Sequence, residues 1–139
     1  MIRSFAVFAA MSLLALPAQA ASFAPDENGL VMFQLPSGNI GCTFVPEGGT
    51  PVYKPPGGHA ELQCDRAEPS YMRAIMSTSG AAKKYNNVGD ASCCGYANVL
   101  SYGERWKMGP FSCRSRSTGL TCTRGSHGLK MSRKHVSVW

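Results

Sequence analysis

Arg114, Arg116, Arg124, His127, Lys130 and Arg133 all fall within one stretch, Gly109–Arg133. Arginine presents a planar fork of donors that fits phosphate and carboxylate, so the chemistry on offer is anion binding. His127, between Ser126 and Gly128, adds a ring within a turn of small residues. The plain alternative for the arginines is a solubilising face that keeps a sheet edge from pairing with another chain. Catalytic spacings are missing: the chain has no HExxH, no CxxC, no GxSxG elbow and no glycine-rich phosphate loop. Neither a metal nor a cofactor is therefore expected. The catalytic alternative is an envelope hydrolase that sets His127 against a carboxylate such as Glu104 or Asp90.

These residues need a sheet to hold them. Phe111, Cys113 and Ser115 share one face of a period-two strand, and Leu120, Cys122 and Arg124 share one face of the next. Setting Cys113 opposite Cys122 puts Ser115 opposite Leu120 and leaves Arg116–Gly119 as a four-residue hairpin loop. Gly119 then stands where the chain often needs a positive φ to re-enter the sheet. Directly opposed residues in an antiparallel pair lie about 4.5–5.5 Å apart at Cα, within reach of a disulfide. Ser112, Arg114, Thr121 and Thr123 take the water side.

Six cysteines on a chain of 139 residues point to oxidised pairs once the address is read. Residues 1–20 have the form of an export signal, with Arg3, the apolar run Phe5–Leu16 and a small-residue cleavage site at Ala18-Gln19-Ala20. The run is too short to span a bilayer, which takes about 20 residues. A secreted or periplasmic chain beginning at Ala21 is expected, with no membrane span after cleavage. Cys42 and Cys64 lie on the apolar faces of two alternating runs, Ile40–Val45 and Ala60–Asp65, and are expected to pair across a sheet. Cys93 and Cys94 remain, as a vicinal disulfide, as partners shared with the other four, or as a redox switch or intermolecular link; six cysteines allow about 15 pairings.

The order of elements points to an all-β domain over 30–139, a small antiparallel sandwich or barrel of about seven or eight short strands pinned by disulfides. Ala21–Gly29 reads as a flexible leader, Leu30–Leu35 as a first strand, Pro36–Asn39 as a turn, and the Pro/Gly-rich Pro46–Gly58 as a loop. Glu68–Met76 reads as one short helix with Pro69 in its first turn. Ser77–Asp90 reads as loop. Val99–Tyr102, Arg105–Met108 and Phe111–Ser115 read as a meander entering the hairpin, and Leu129–Met131 and Val136–Val138 as closing strands. The terminal Trp139 suits a last strand of such a domain better than an outer-membrane barrel, whose strands run to about ten residues.

Leu35–Cys42 (LPSGNIGC), Leu62–Cys64 (LQC), Leu100–Cys113 (LSYGERWKMGPFSC), Gly119–Cys122 (GLTC) and His127–Arg133 (HGLKMSR) occur in a fixed order. In this order the chain resembles a family of small exported bacterial proteins of unknown function. Its pattern runs "PSGNI-x-C", then "YG…W…G-x-F-x-C-x-S…G-x-T-C", then "GHGF-x-LSR". The chain departs from it in having Thr123-Arg124 after "TC", Ser126-His127-Gly128-Leu129 for "GHGF", and no further cysteine between Cys64 and Cys93. The resemblance supports fold and address and implies no activity.

Charge divides the chain. Ala21–Glu104 holds five Lys/Arg against eight Asp/Glu, whereas Arg105–Trp139 holds eight Lys/Arg and no acid. Such asymmetry suggests an acidic partner. The expected function is a monomeric, non-catalytic binding module whose C-terminal face docks an anionic envelope polymer, a lipid headgroup or an acidic protein. Nucleic acid is not expected, because Trp106 and Phe111 stand at core positions and not as stacking platforms.

Overall fold

Alternating apolar residues, punctuated by glycine and proline, fold into two consecutive antiparallel meanders laid face to face. The computed structural model describes residues 16–139. Positions 1–15 of the expected export signal therefore lie outside the described residues.

The first sheet runs in the order β2 (Val31–Gln34), β3 (Ile40–Val45), β4 (Glu61–Arg66), β5 (Met72–Ser77) and β6 (Lys83–Tyr85). The second runs β1 (Ala20–Ala21), β7 (Arg105–Met108), β8 (Phe111–Arg116), β9 (Gly119–Arg124), β10 (His127–Met131) and β11 (Val136–Val138). All pairs are antiparallel except β1, which lies parallel to β7 with Ala20 beside Arg105. The all-β sandwich is thus as expected, with eleven strands among the described residues where seven or eight were counted.

Inward positions follow the period of two, as a sheet with one dry face requires. Phe33, Leu62, Met76, Trp106, Phe111, Leu120, Leu129 and Met131 are almost wholly buried in one shared core. Aromatic rings meet across the two layers: Phe33 and Trp106 have centroids 4.9 Å apart, and Phe44 and Phe111 6.1 Å. Both cross-strand disulfides formed as expected, Cys42–Cys64 and Cys113–Cys122. They stack centrally, the Sγ atoms of Cys42, Cys64 and Cys122 lying within 4.8 Å of one another.

The hairpin register is the one the alternation required, Cys113 opposite Cys122 and Ser115 opposite Leu120. Pairing continues one residue further, to Arg116 and Gly119, so the turn holds only Ser117 and Thr118. Gly119 has φ 132°, and a Cβ there would meet the Met131 carbonyl oxygen at 2.4 Å, so glycine is needed for space as well as conformation.

Three expected elements are corrected. Glu68–Met76 is not a helix: Met72–Ser77 is β5, because Ala74 and Met76 point inward while Arg73 and Ile75 point out, and β4 offers a free edge to pair with. Ser77–Asp90 is not all loop, since Lys83–Tyr85 adds β6 to that edge; its exposed side chains carried no apolar alternation to betray it. Val99–Tyr102 does not join the second-sheet meander. Val99 forms an isolated parallel bridge to Gln34, and the Leu100 amide donates to the Gln34 carbonyl at 2.8 Å. Within Ala21–Gly29, read as a flexible leader, Phe23 stacks on Phe33 at 5.8 Å, and Asp26 Oδ1 accepts from the amides of Asn28 and Leu30.

Candidate functional site

The outward faces of the two sheets differ. Over the first, loops fold back and cover the strands. Glu61, 2% exposed, lies beneath the Pro/Gly loop, its Oε1 accepting from Tyr53 Oη and Gln63 Nε2, both at 2.6 Å. Asp65 sits under the 86–98 loop, where it takes Arg73 Nε and Nη2 at 2.7 and 2.8 Å and Tyr71 Oη at 2.7 Å. Burial, reinforced by the bond to Glu61, pushes the Tyr53 phenol up to about 12. Burial and the bond to Asp65 do the same for Tyr71, also about 12. The paired Asp65 carboxylate holds the Arg73 guanidinium above its ordinary value.

The 86–98 loop also carries the third disulfide, Cys93–Cys94, which is vicinal, so none of the six cysteines is free. The Cys93 amide donates to Tyr71 Oη at 3.0 Å, and Gly95 and Tyr96 amides both donate to Gln34 Oε1. Gly41 beneath has no room for a side chain: a Cβ there would meet the Tyr96 ring at 2.7 Å and Cys94 Sγ at 3.0 Å.

The second sheet turns its outward residues to open space. Trp106, Cys113, Cys122 and Leu129 point in, so Arg105, Lys107, Ser112, Arg114, Arg116, Thr121 and Lys130 point out. Register sets Arg105, Arg114, Thr121 and Lys130 side by side in one row across four strands. Neighbouring strands are about 4.8 Å apart, so the row offers cations at intervals of about 5–10 Å. Arg114 is half-buried, and its Nε has no hydrogen-bond partner despite being buried. A groove of about 140 Å³ runs between Arg114, Arg116, Thr121 and Lys130. Around the sheet end, a cleft of about 430 Å³ is lined by Arg116, Arg133, Lys134 and Tyr102.

Among the described residues no ion pair joins the acidic N-terminal part to this row. Among the described residues the one ion pair is Asp65–Arg73, inside the first sheet. Glu104, opposite Ser115 and lining the same cleft as Arg114, accepts the Ser101 amide on Oε2 at 2.7 Å.

The six residues singled out from sequence do not form one cluster. Arg114, Arg116 and Lys130 share the outward face, and Arg133 joins Arg116 in the end cleft. Arg124 has the inward parity of Cys122, as its strand position implied, and its Nη2 donates to the Gly80 carbonyl of the other sheet's edge. His127 sits opposite Arg124, its Nδ1 against the Trp139 main-chain oxygen at 3.3 Å, with no side-chain carboxylate among its hydrogen-bond partners. Arg105 was not singled out, although the alternation Arg105-Trp106-Lys107-Met108 already places it with Arg114. The three clustered core cysteine sulfurs are committed to disulfides and are not thiolate ligands.

No family model matches the chain, and neither a curated protein nor a solved structure matches it. Among the described residues no helix is long and apolar enough to cross a membrane.

Proposed function

We propose that this is an exported, non-catalytic binding module whose second sheet docks an anionic envelope polymer. The carrying observation is Arg114: a half-buried guanidinium with an unpaired Nε, in one row with Arg105 and Lys130 and in no ion pair among the described residues. A desolvated cation without a partner is costly, and a ligand phosphate or carboxylate would satisfy it. A row of cations suits a ligand with repeating charges, which favours a polymer over a single headgroup or an acidic protein. The export signal read in residues 1–20 and three disulfides support the extracytoplasmic address.

The test is binding of the mature chain to linear polyphosphate, beside phosphatidylglycerol vesicles and a polyglutamate chain. Affinity for polyphosphate is expected to fall steeply with added salt, since exposed charges are screened beyond about 10 Å at 0.1 M. Changing Arg114, Arg116 and Lys130 together to Ser is expected to abolish binding without lowering the Tm. Arg124→Ser is expected to lower the Tm and keep binding, because its guanidinium ties the end of β9 to the loop between β5 and β6. Salt-insensitive binding, or full binding by the triple variant, overturns the proposal.

A further inference from the structure

On the far side of the molecule from the arginine row, the first sheet holds a second recess of about 360 Å³. Tyr53 and His59 of the Pro/Gly loop stand on one side, Lys83 and Tyr85 of β6 on the other, and Glu61 and Ser77 form a register pair between them. Glu61 is a charged side chain almost wholly buried in the outward layer, held in place by Tyr53 and Gln63. Tyr53 and Tyr85, both lining the recess, are 38% and 41% exposed.

We infer that this recess is a binding site for an uncharged sugar unit. Its size lies in the range of small-molecule sites, about 300–1,000 Å³, and suits one or two rings. Its fixed charges are one carboxylate and one ammonium, so it has no net field for an ion, unlike the opposite face. Its polar groups mix donors and acceptors, matching hydroxyls, each of which both donates and accepts. The two phenol rings present flat apolar faces with polar edges, the surface on which the C–H face of a sugar ring stacks. Cleavage is not part of the inference: glycoside hydrolysis uses two carboxylates flanking the bond, and Glu61 is the one acid lining the recess.

The test is an NMR titration of the mature, isotopically labelled chain with three uncharged oligosaccharides: cellotriose, maltotriose and chitotriose. At least one is expected to shift the amides around Tyr53, Glu61, Lys83 and Tyr85, without loss of effect at high salt. Tyr85→Ala, an exposed position on an edge strand, is expected to keep the fold and weaken that binding about tenfold through lost stacking. The Arg114, Arg116 and Lys130 triple variant is expected to bind the sugar unchanged, which separates this site from the anion face. Absence of shifts with all three sugars, shifts centred on Arg114, or undiminished binding by Tyr85→Ala overturns the inference.

Discussion

At the scale of single residues, the informative groups are polar ones buried on the outward face of a sheet, where water would ordinarily reach them. Tyr53 and Tyr71 each donate to a buried carboxylate, at 2.6 and 2.7 Å, and each has its phenol pushed up to about 12. An ordinary phenol titrates near 10. A folded-state value above the unfolded one means that the protonated phenol is favoured by folding, so its contribution is complete below about pH 10 and is lost as pH rises toward 12. Stability is therefore expected to drop across that interval, and ultraviolet tyrosine titration should show a late component that the Tyr53→Phe, Tyr71→Phe double variant lacks. A late component surviving in the double variant would contradict the assignment. These residues were not legible in advance. Glu61, Tyr53 and Tyr85 are brought together by strand register and loop return, and nothing in their local sequence announces the meeting.

At the scale of elements, what could be read from sequence was what depends on local parity. The Cys113–Cys122 and Cys42–Cys64 pairings follow from which side of a strand each cysteine occupies, and both formed in the register alternation implied. The failures came where parity was weak. EPSYMRAIM places apolar residues at helical spacing as readily as at strand spacing, and the exposed edge of β4 settled the choice. Lys83–Tyr85 is polar throughout and is a strand only because β5 lies beside it. The three disulfides also differ in what they contribute. Loop-closure entropy gives about 3.4 kcal/mol for the separation of 22 at Cys42–Cys64 and about 2.7 kcal/mol for the separation of 9 at Cys113–Cys122, with little for the adjacent pair. Paired Cys→Ala variants are expected to lose stability in that order in denaturant unfolding. Limited reduction followed by mass analysis is expected to open Cys93–Cys94 first, because the other four sulfurs belong to residues at most 1% exposed. Early loss of a core bridge would argue against the packing described.

At the scale of the whole molecule, the two meanders share a hydrophobic core, and cations of the first sheet tie it to the second at one end: Lys84 Nζ donates to the Val136 carbonyl at 3.1 Å, and Arg66 bonds several acceptors at once. Arg66 has inward parity and is 5% exposed. It donates to the carbonyls of Ser132 and Arg133 in the loop between β10 and β11, each at 3.3 Å, and to the carbonyl and hydroxyl of Ser70 in the loop between β4 and β5. A guanidinium satisfied by neutral acceptors in both layers fixes the distance between them, and it sets the main chain that carries Arg133 into the end cleft. Of the acids in the N-terminal part, Glu61 and Asp65 are buried under the loops of the first sheet, while Arg105 and Lys130 of the second face outward. Arg66→Ala strands several buried acceptors and removes a charged donor, a change expected to cost about 3 kcal/mol. Arg66→Lys should recover only part of that, since one ammonium cannot span the fork's reach. Both variants are expected to weaken polyphosphate binding less than loss of Arg114 does, because β8 keeps its register without Arg66. Equal stability of Arg66→Ala and the native chain in denaturant unfolding would mean that the core and the remaining bonds of Lys84 and Arg124 hold the layers together without it.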